Sequence, residues 1–507
     1  MNEAGRSLRL APLAAALLTC AGARAAHAAP FDVAMPASWQ PGGQRGVAAL
    51  FEGLRAHRAP VPVHTPRTIR VTSCADTNQA TTLRGAIAAA GNDDTVDLGD
   101  LRCSSITLQH GAIPAMADNL TIRGPANKSF AIDGAGRDRV FVHYGSGTLR
   151  LEHMAVRRGV NNVSGFHVAG GACILSGGAV TLDHTSVRDC FASGEGAYGG
   201  GILAGTITLY TSTLSGNVAL GANPDTFTAA YGGGAMAYFG AIGLYDSSVT
   251  GNRAAHALSD THGSYCTGGG VFADFGGYAL RSTVADNYSY GTGGGLAAHA
   301  GIFLTDSTIS GNTAKFKTGG GVFARVVGDG VQFNNSTIAF NNAAAGGGIY
   351  ILGQPHAVLL QSTIVAKNSA GGAQADLAVA TPLTIAGTNN LVPAAGAGLT
   401  LPAGTLHGDP LLLPLADNGG PTRTHALAPG SPARNAGANP AGLSTDQRGY
   451  PRVAGVAADI GAVEMAVAGP APAAAPAVPA WAALLLAVLL GCSGWLQSRW
   501  RRRIDGR

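Results

Sequence analysis

Hydrophobic and polar positions through the middle of the chain follow one recurring phrase. Three glycines and an apolar residue come first, then a short alternating stretch, a Ser/Thr pair, a β-branched residue or Leu, and an Asn. The triplets begin at Gly199, Gly232, Gly268, Gly293, Gly319 and Gly346, and the phrases close on Asn217, Asn252, Asn287, Asn312, Asn341 and Asn368. The later triplets step by 25, 26 and 27 residues, the earlier ones by 33 and 36. Periods of this size mark solenoids or propellers. A propeller blade needs about 40–50 residues and four strands, so the later steps are too short. A calcium-binding nonapeptide roll needs closely spaced Gly-Gly-x-Gly-x-Asp, which this sequence lacks. The pattern predicts an all-β fold, a right-handed parallel β-helix with one repeat per coil.

In such a solenoid, coils about 4.8 Å apart place like residues on like. Val249, Val284, Ile309, Ile338 and Ile364 should form an apolar ladder inside. Asn217, Asn252, Asn287, Asn312 and Asn341 should sit at a turn, where Asn tolerates left-handed geometry and its amide bonds the next coil. The glycines supply tight corners, and loops at 218–231 and 253–267 absorb the variation in period. Open stacks need caps, and residues 82–90 read as a short amphipathic helix closing the N-terminal end.

Composition agrees with short strands and many turns. Of 507 residues, 12% are charged, 46% are hydrophobic and 75 are Gly, which excludes disorder and disfavours helix-rich packing. The net charge of +4 belongs to the ends. Residues 499–507 contribute +4 and residues 1–28 contribute +2, leaving −2 for the body. No basic stripe remains for a phosphate backbone, so nucleic acid is not an expected partner.

Both ends read as addresses. Arg6 and Arg9, the apolar run 10–19 and Ala26-His27-Ala28 form a secretory signal peptide over residues 1–28. Residues 29–69 read as a poorly structured segment, 70–150 as the N-terminal cap and first coils, 151–409 as the repeats, and 410–465 as a turn-rich C-terminal region. A Pro/Ala linker over 466–479 precedes an apolar, membrane-spanning run over 480–498 and an Arg-rich cytoplasmic tail over 499–507. This arrangement holds the body outside the cytoplasm, at the cell surface or on the membrane.

An oxidising compartment suits the cysteines. Cys74 and Cys103 flank one N-terminal segment that a bridge would staple, and Cys173 and Cys190 could bridge adjacent coils, with Cys266 left odd. Spacing alone leaves the pairing open.

Three stretches resemble bacterial right-handed β-helix surface proteins with a choice-of-anchor Q C-terminal region. They are Cys74-Ala75-Asp76 with Thr82-Leu83-Arg84, the Gly-triplet coils, and Asp417-Asn418-Gly419-Gly420-Pro421 with Asp446-Gln447-Arg448-Gly449 and Asp459 to Glu464. The coils are also similar to polymorphic outer-membrane protein repeats. The tail, with Val478-Pro479-Ala480-Trp481 and Arg501-Arg502-Arg503, resembles IPTL-CTERM and PEP-CTERM sorting signals. The resemblance implies secretion, a β-helix completed or capped by 410–465, and a choice of anchors, with no defined catalytic activity.

Function is therefore expected to be structural or adhesive: a rod of nine or ten coils, roughly 45 Å long, with glycans or other cell-surface proteins as partners and no cofactor or metal. The alternative is a polysaccharide lyase or glycoside hydrolase acting on acidic glycans. Such a site needs clustered carboxylates and cations. Asp246 and Asp306 occupy equivalent repeat positions just before the Ser/Thr pair, Asp183 precedes a similar pair, Asp274 and Asp286 lie between them, and Arg281, Arg325 and Lys315 could neutralise uronates. Recurrence at repeat positions favours turn residues over catalytic ones. The histidines, His143, His299 and His425 among them, are scattered without metal spacing and read as surface or turn residues. No C-terminal run of alternating strands could build an outer-membrane barrel, so an autotransporter is excluded.

Overall fold

Val156, Val187, Leu214, Val249, Val284, Ile309, Ile338 and Val365 stack in register, coil above coil, and all are fully buried. Each such side chain contributes roughly 1.5–3 kcal/mol on leaving water. The computed structural model describes residues 42–164, 168–222, 229–256, 265–327, 330–371 and 373–465. Over these the chain is an all-β, right-handed-type parallel solenoid of about ten turns. One coil reads Leu296–Ala298, Ile302–Thr305, Thr308–Ser310 and Thr313–Ala314. The equivalent strands assemble into sheets of 10, 11, 10 and 9 strands, and a 4-stranded sheet adds a fifth side to some coils. The signal peptide, the apolar run 480–498 and the basic tail lie outside the described residues. No helix among the described residues is long and apolar enough to cross a membrane.

Two polar ladders run beside the apolar one. The Ser/Thr ladder passes from Thr185 through Ser212, Ser247, Ser282, Ser307 and Ser336 to Thr363, each amide donating to the next hydroxyl at 3.0–3.3 Å. In the Asn ladder, the Asn287 side-chain amide donates to Val249 O at 2.9 Å and to Asn312 Oδ1 at 2.9 Å. The same pattern joins Asn217, Asn252, Asn312, Asn341 and Asn368, and Asp376 Oδ1 accepts the last rung. These side chains point inward. The left-handed corner expected at Asn lies one residue earlier, at Gly216, Gly251, Asp286 and Gly311.

The third glycine of each triplet faces the Asn across the coil. A Cβ on Gly201, Gly234, Gly295 or Gly321 would meet the amide of Asn217, Asn252, Asn312 or Asn341 at 2.9–3.0 Å. Where Cys173 takes that glycine's place, Cys190 takes the place of Asn, and the two form a disulfide. That bridge closes a single coil, not two adjacent ones as the spacing suggested. A second disulfide joins Cys74 to Cys103, and Cys266 is a buried free thiol.

Register corrects one rung. Ile338 pairs with Val365, so Ile364 aligns with Thr337 and faces outward, into a cluster with Leu391, Leu427, Ala433 and Ile460. The ends also differ from expectation. Within 29–69, Gly42–Ala56 is a helix whose Val47, Phe51 and Leu54 are buried against the solenoid. At the N-terminal end, Leu83–Ala88 is a helix capped by Thr82, with Leu83, Ala86 and Ile87 buried. Residues 410–465 do not simply cap the C-terminal end. They turn back along the outer face of the sheet carrying Thr283, Thr308 and Thr337, while Leu383–Thr384 and Leu399–Thr400 pair beyond the last full coils.

Candidate functional site

Asp246, Arg281 and Asp306 occupy one corner in three successive coils, with φ of 50°, 48° and 43°. Ser362 and Asn335 hold the same corner with similar φ, so the position demands left-handed backbone, which Asp and Asn tolerate better than most residues. Asp246 accepts two hydrogen bonds from Arg281 at 2.7 Å. Asp183 pairs with Arg150 and with His184 at 2.7 Å, and Asp286 faces Arg423 at 3.3 Å. Asp246 and Asp286 are corner residues and Asp183 ends a strand beside the His184 corner, each with its charge locally balanced.

Asp306 is sealed. The C-terminal segment lies over its face: Thr283 donates to Arg423 O, Thr308 to Gln447 Oε1, Ser310 meets His425, and Ala462 N donates to Thr337. Beneath this layer the fully buried Arg452 reaches Asp306 and Glu464, each at 3.2 Å, and donates to Gly461 O and Asp459 O. Burial pushes the Asp306 carboxyl up to about 7 although Arg452 draws it down, and burial also raises Glu464. The Asp446-Gln447-Arg448 motif is structural in the same layer: Asp446 pairs with Arg448, whose guanidinium also reaches Glu464 O.

A second, largely shielded acid, Asp274, lies beneath the helix Gly42–Ala56. Val47 and Phe51 pack with Tyr198, Met236, Tyr238 and Phe272, and the Phe51 and Tyr238 rings lie 5.1 Å apart. They cover a hollow of about 10 Å3 lined by Asp274 and His299, room for about one water molecule. Asp274 accepts from Phe239 N at 2.8 Å, and its other oxygen lies 3.8 Å from His299 Nδ1. Burial outweighs the Phe239 bond and pushes Asp274 up to about 6. Burial, helped by Arg325, lowers His299 to about 4. Near neutral pH the imidazole is therefore uncharged beside a carboxylate. Both groups are then unprotonated, two bases with no acid between them, and the helix covers them.

His299 is thus not a surface residue. Nor is His143, whose buried ring bonds Ser176 and Ala117 O at 2.8 Å, nor His425, buried between Ser310 and Leu413 O. Among the sequence candidates, the structure brings together Asp246, Arg281 and Asp306, and it leaves Asp274 apart with His299. Arg452 escaped sequence reading. Its signal was weak: a lone Arg in a turn-rich, charge-poor segment. Asp76 and Arg84, read as resemblance motifs, form a buried pair at 2.8 Å that also ties Gly111 O and His110 N into the N-terminal end. Among the described residues no three His, Cys, Asp or Glu side chains converge on a metal-sized site.

No family model and no curated protein is similar to the chain. Among solved structures, the crystal structure of pectate lyase Pel9A is similar over 79% of this chain and 97% of that one, at 13% identity and a TM-score of 0.39. A likeness so remote carries no argument about activity.

Proposed function

We propose that the chain is an exported, surface-held rod that binds glycans or neighbouring cell-surface proteins through its outer faces and does no catalysis. The observation that carries this reading is the unbroken parallel sheet from Thr68–Arg70 to Ala357–Gln361, 11 strands long. A stack with every coil hydrogen-bonded to the next is stiff and presents its side chains at fixed spacing. Two disulfides support an oxidising, extracytoplasmic setting. The choice-of-anchor Q resemblance and the apolar run 480–498 followed by Arg501-Arg502-Arg503 supply the tether, with or without processing by a sorting protease.

The test removes the chain from the cells that make it. Loss of attachment to a glycan-coated surface, restored by re-expression, is the expected result. Labelling of the chain by a membrane-impermeant reagent on intact cells is expected alongside it. Unchanged attachment, or a chain that only lysed cells expose to the reagent, overturns the reading.

A further inference from the structure

Several cations in the coils are balanced by carboxylates. Arg150 pairs with Glu152 and Asp183, Arg157 and Arg158 with Asp133, Arg188 with Asp189, Arg281 with Asp246, and Lys367 with Asp409. Arg253, Lys315 and Lys317 form no ion pair among the described residues and share one part of the surface. They stand on one outer edge across three coils, Arg253 in the first and both lysines in the third, with Tyr288 and Tyr290 in the coil between. Arg253 aligns with Tyr288, and Tyr288 with Thr313, two residues before Lys315.

Each of these cations lies near an aromatic ring instead. The Arg253 guanidinium is 5.1 Å from the Tyr288 ring centre and 5.7 Å from that of Tyr290. Lys315 Nζ is 5.8 Å from the Phe316 ring, and Lys317 Nζ is 5.0 Å from the Tyr265 ring. The rings form a walk across the coils, Tyr288 to Tyr290 at 5.6 Å and Tyr290 to Phe316 at 5.5 Å. Backbone bonds from Tyr290 N to Ala254 O and from Phe316 N to Tyr290 O fix the step between coils. Arg253, Lys315 and Phe316 are exposed, Phe316 at 41%.

From this juxtaposition we infer that the edge formed by Arg253, Tyr288, Tyr290, Lys315, Phe316 and Lys317 is a binding site for an acidic polysaccharide, a chain of uronate sugars. The chemistry selects that class. Aromatic faces receive the C–H faces of pyranose rings, and uncompensated guanidinium and ammonium groups receive carboxylates. Cations of the first and third coils flank the rings of the second, two steps of about 4.8 Å apart, so an extended polymer crossing the edge meets cation, ring and cation in turn. The inference deepens the glycan-binding reading above and rests on it.

Full-length protein titrated with polygalacturonate tests the site, with neutral dextran and duplex DNA as the other arms. Wild type is expected to bind polygalacturonate, to lose affinity as salt rises, and to prefer it to dextran and DNA. The triple variant R253Q/K315Q/K317Q is expected to raise Kd about tenfold or more, and Phe316→Ser to raise it by a smaller factor. Exposed positions leave folding intact, which an unchanged circular dichroism spectrum and melting midpoint verify. Polygalacturonate binding that both variants keep overturns the site while leaving a glycan-binding rod in place. Equal or tighter binding of DNA overturns the ligand class. Binding of neither polysaccharide overturns the site and the glycan reading together.

Discussion

Two flanks of the solenoid each cover an aspartate, and they treat it differently. Under the C-terminal segment, Asp306 meets the buried guanidinium of Arg452, 146 residues further along the chain. Under the N-terminal helix, Asp274 meets one backbone amide and a neutral imidazole. The first arrangement is a clasp, in which a charge on one layer is answered from the other. The second is a cover, apolar where it touches and indifferent to the acid below. Burial alone therefore does not decide what a buried acid contributes; the partner supplied by the covering layer does.

Breaking the clasp should have the largest effect. Arg452→Met leaves Asp306 and Glu464 buried without their shared cation and frees the carbonyls of Gly461 and Asp459. Removing one partner of a buried ion pair costs about 3–5 kcal/mol. Urea unfolding should show that loss, and limited proteolysis should cut within 410–465 before the coils. A midpoint within error of wild type would mean that the segment is held by its apolar and Thr contacts alone.

A defect in the repeats should cost less. Asn287→Ala deletes two donated bonds, orphans Asn252 N and removes one acceptor from Asn252 Nδ2, which Asn287 Oδ1 serves at 2.9 and 3.0 Å while Leu214 O still accepts from Nδ2. Unsatisfied buried groups cost about 1–3 kcal/mol, so a loss of about 2–3 kcal/mol is expected in the same unfolding assay. Hydrogen exchange should rise chiefly in the coils on either side, because each repeat contacts only its neighbours. Exchange that rises equally under both flanks would show that ladder and clasp unfold as one.

The ladders were legible in the sequence because stacking makes like residues recur, and a period is visible without coordinates. Even the misplaced rung left a trace. Every earlier phrase puts Asn three residues after the ladder position, and Val365, not Ile364, keeps that distance to Asn368. The left-handed corner was assigned to Asn on its conformational tolerance, whereas the residue before it carries the strain and frees Asn to point inward. The clasp was not legible. Gln447 reaches back to Ser282 across 165 positions and Arg452 to Asp306 across 146, and a single contact made once leaves no period. The same holds for His299, whose pairing with Asp274 depends on which residues of neighbouring coils share an edge.

The smallest effect should be the most diagnostic, because the cover hides two titrations of opposite sign. Asp274 is raised from 3.8 to about 6 in the fold. Its contribution is therefore fully present below about pH 4 and is lost as pH rises through 6. His299 is lowered from 6.5 to about 4, so its contribution is present above about pH 6.5 and is lost as pH falls through 4. In wild type the two slopes offset each other across that window. Asp274→Asn leaves only the histidine, and stability should then rise between pH 4 and 6.5 relative to wild type. His299→Gln leaves only the acid, and stability should fall over the same interval. Each slope should amount to about 2 kcal/mol, two pKa shifts of about 2 units discounted for partial exposure. Asp306, also raised, titrates in all three proteins and cancels in the difference. Parallel pH profiles in the two variants would show that the helix opens in solution and hydrates the pair, making it a site that substrate could enter.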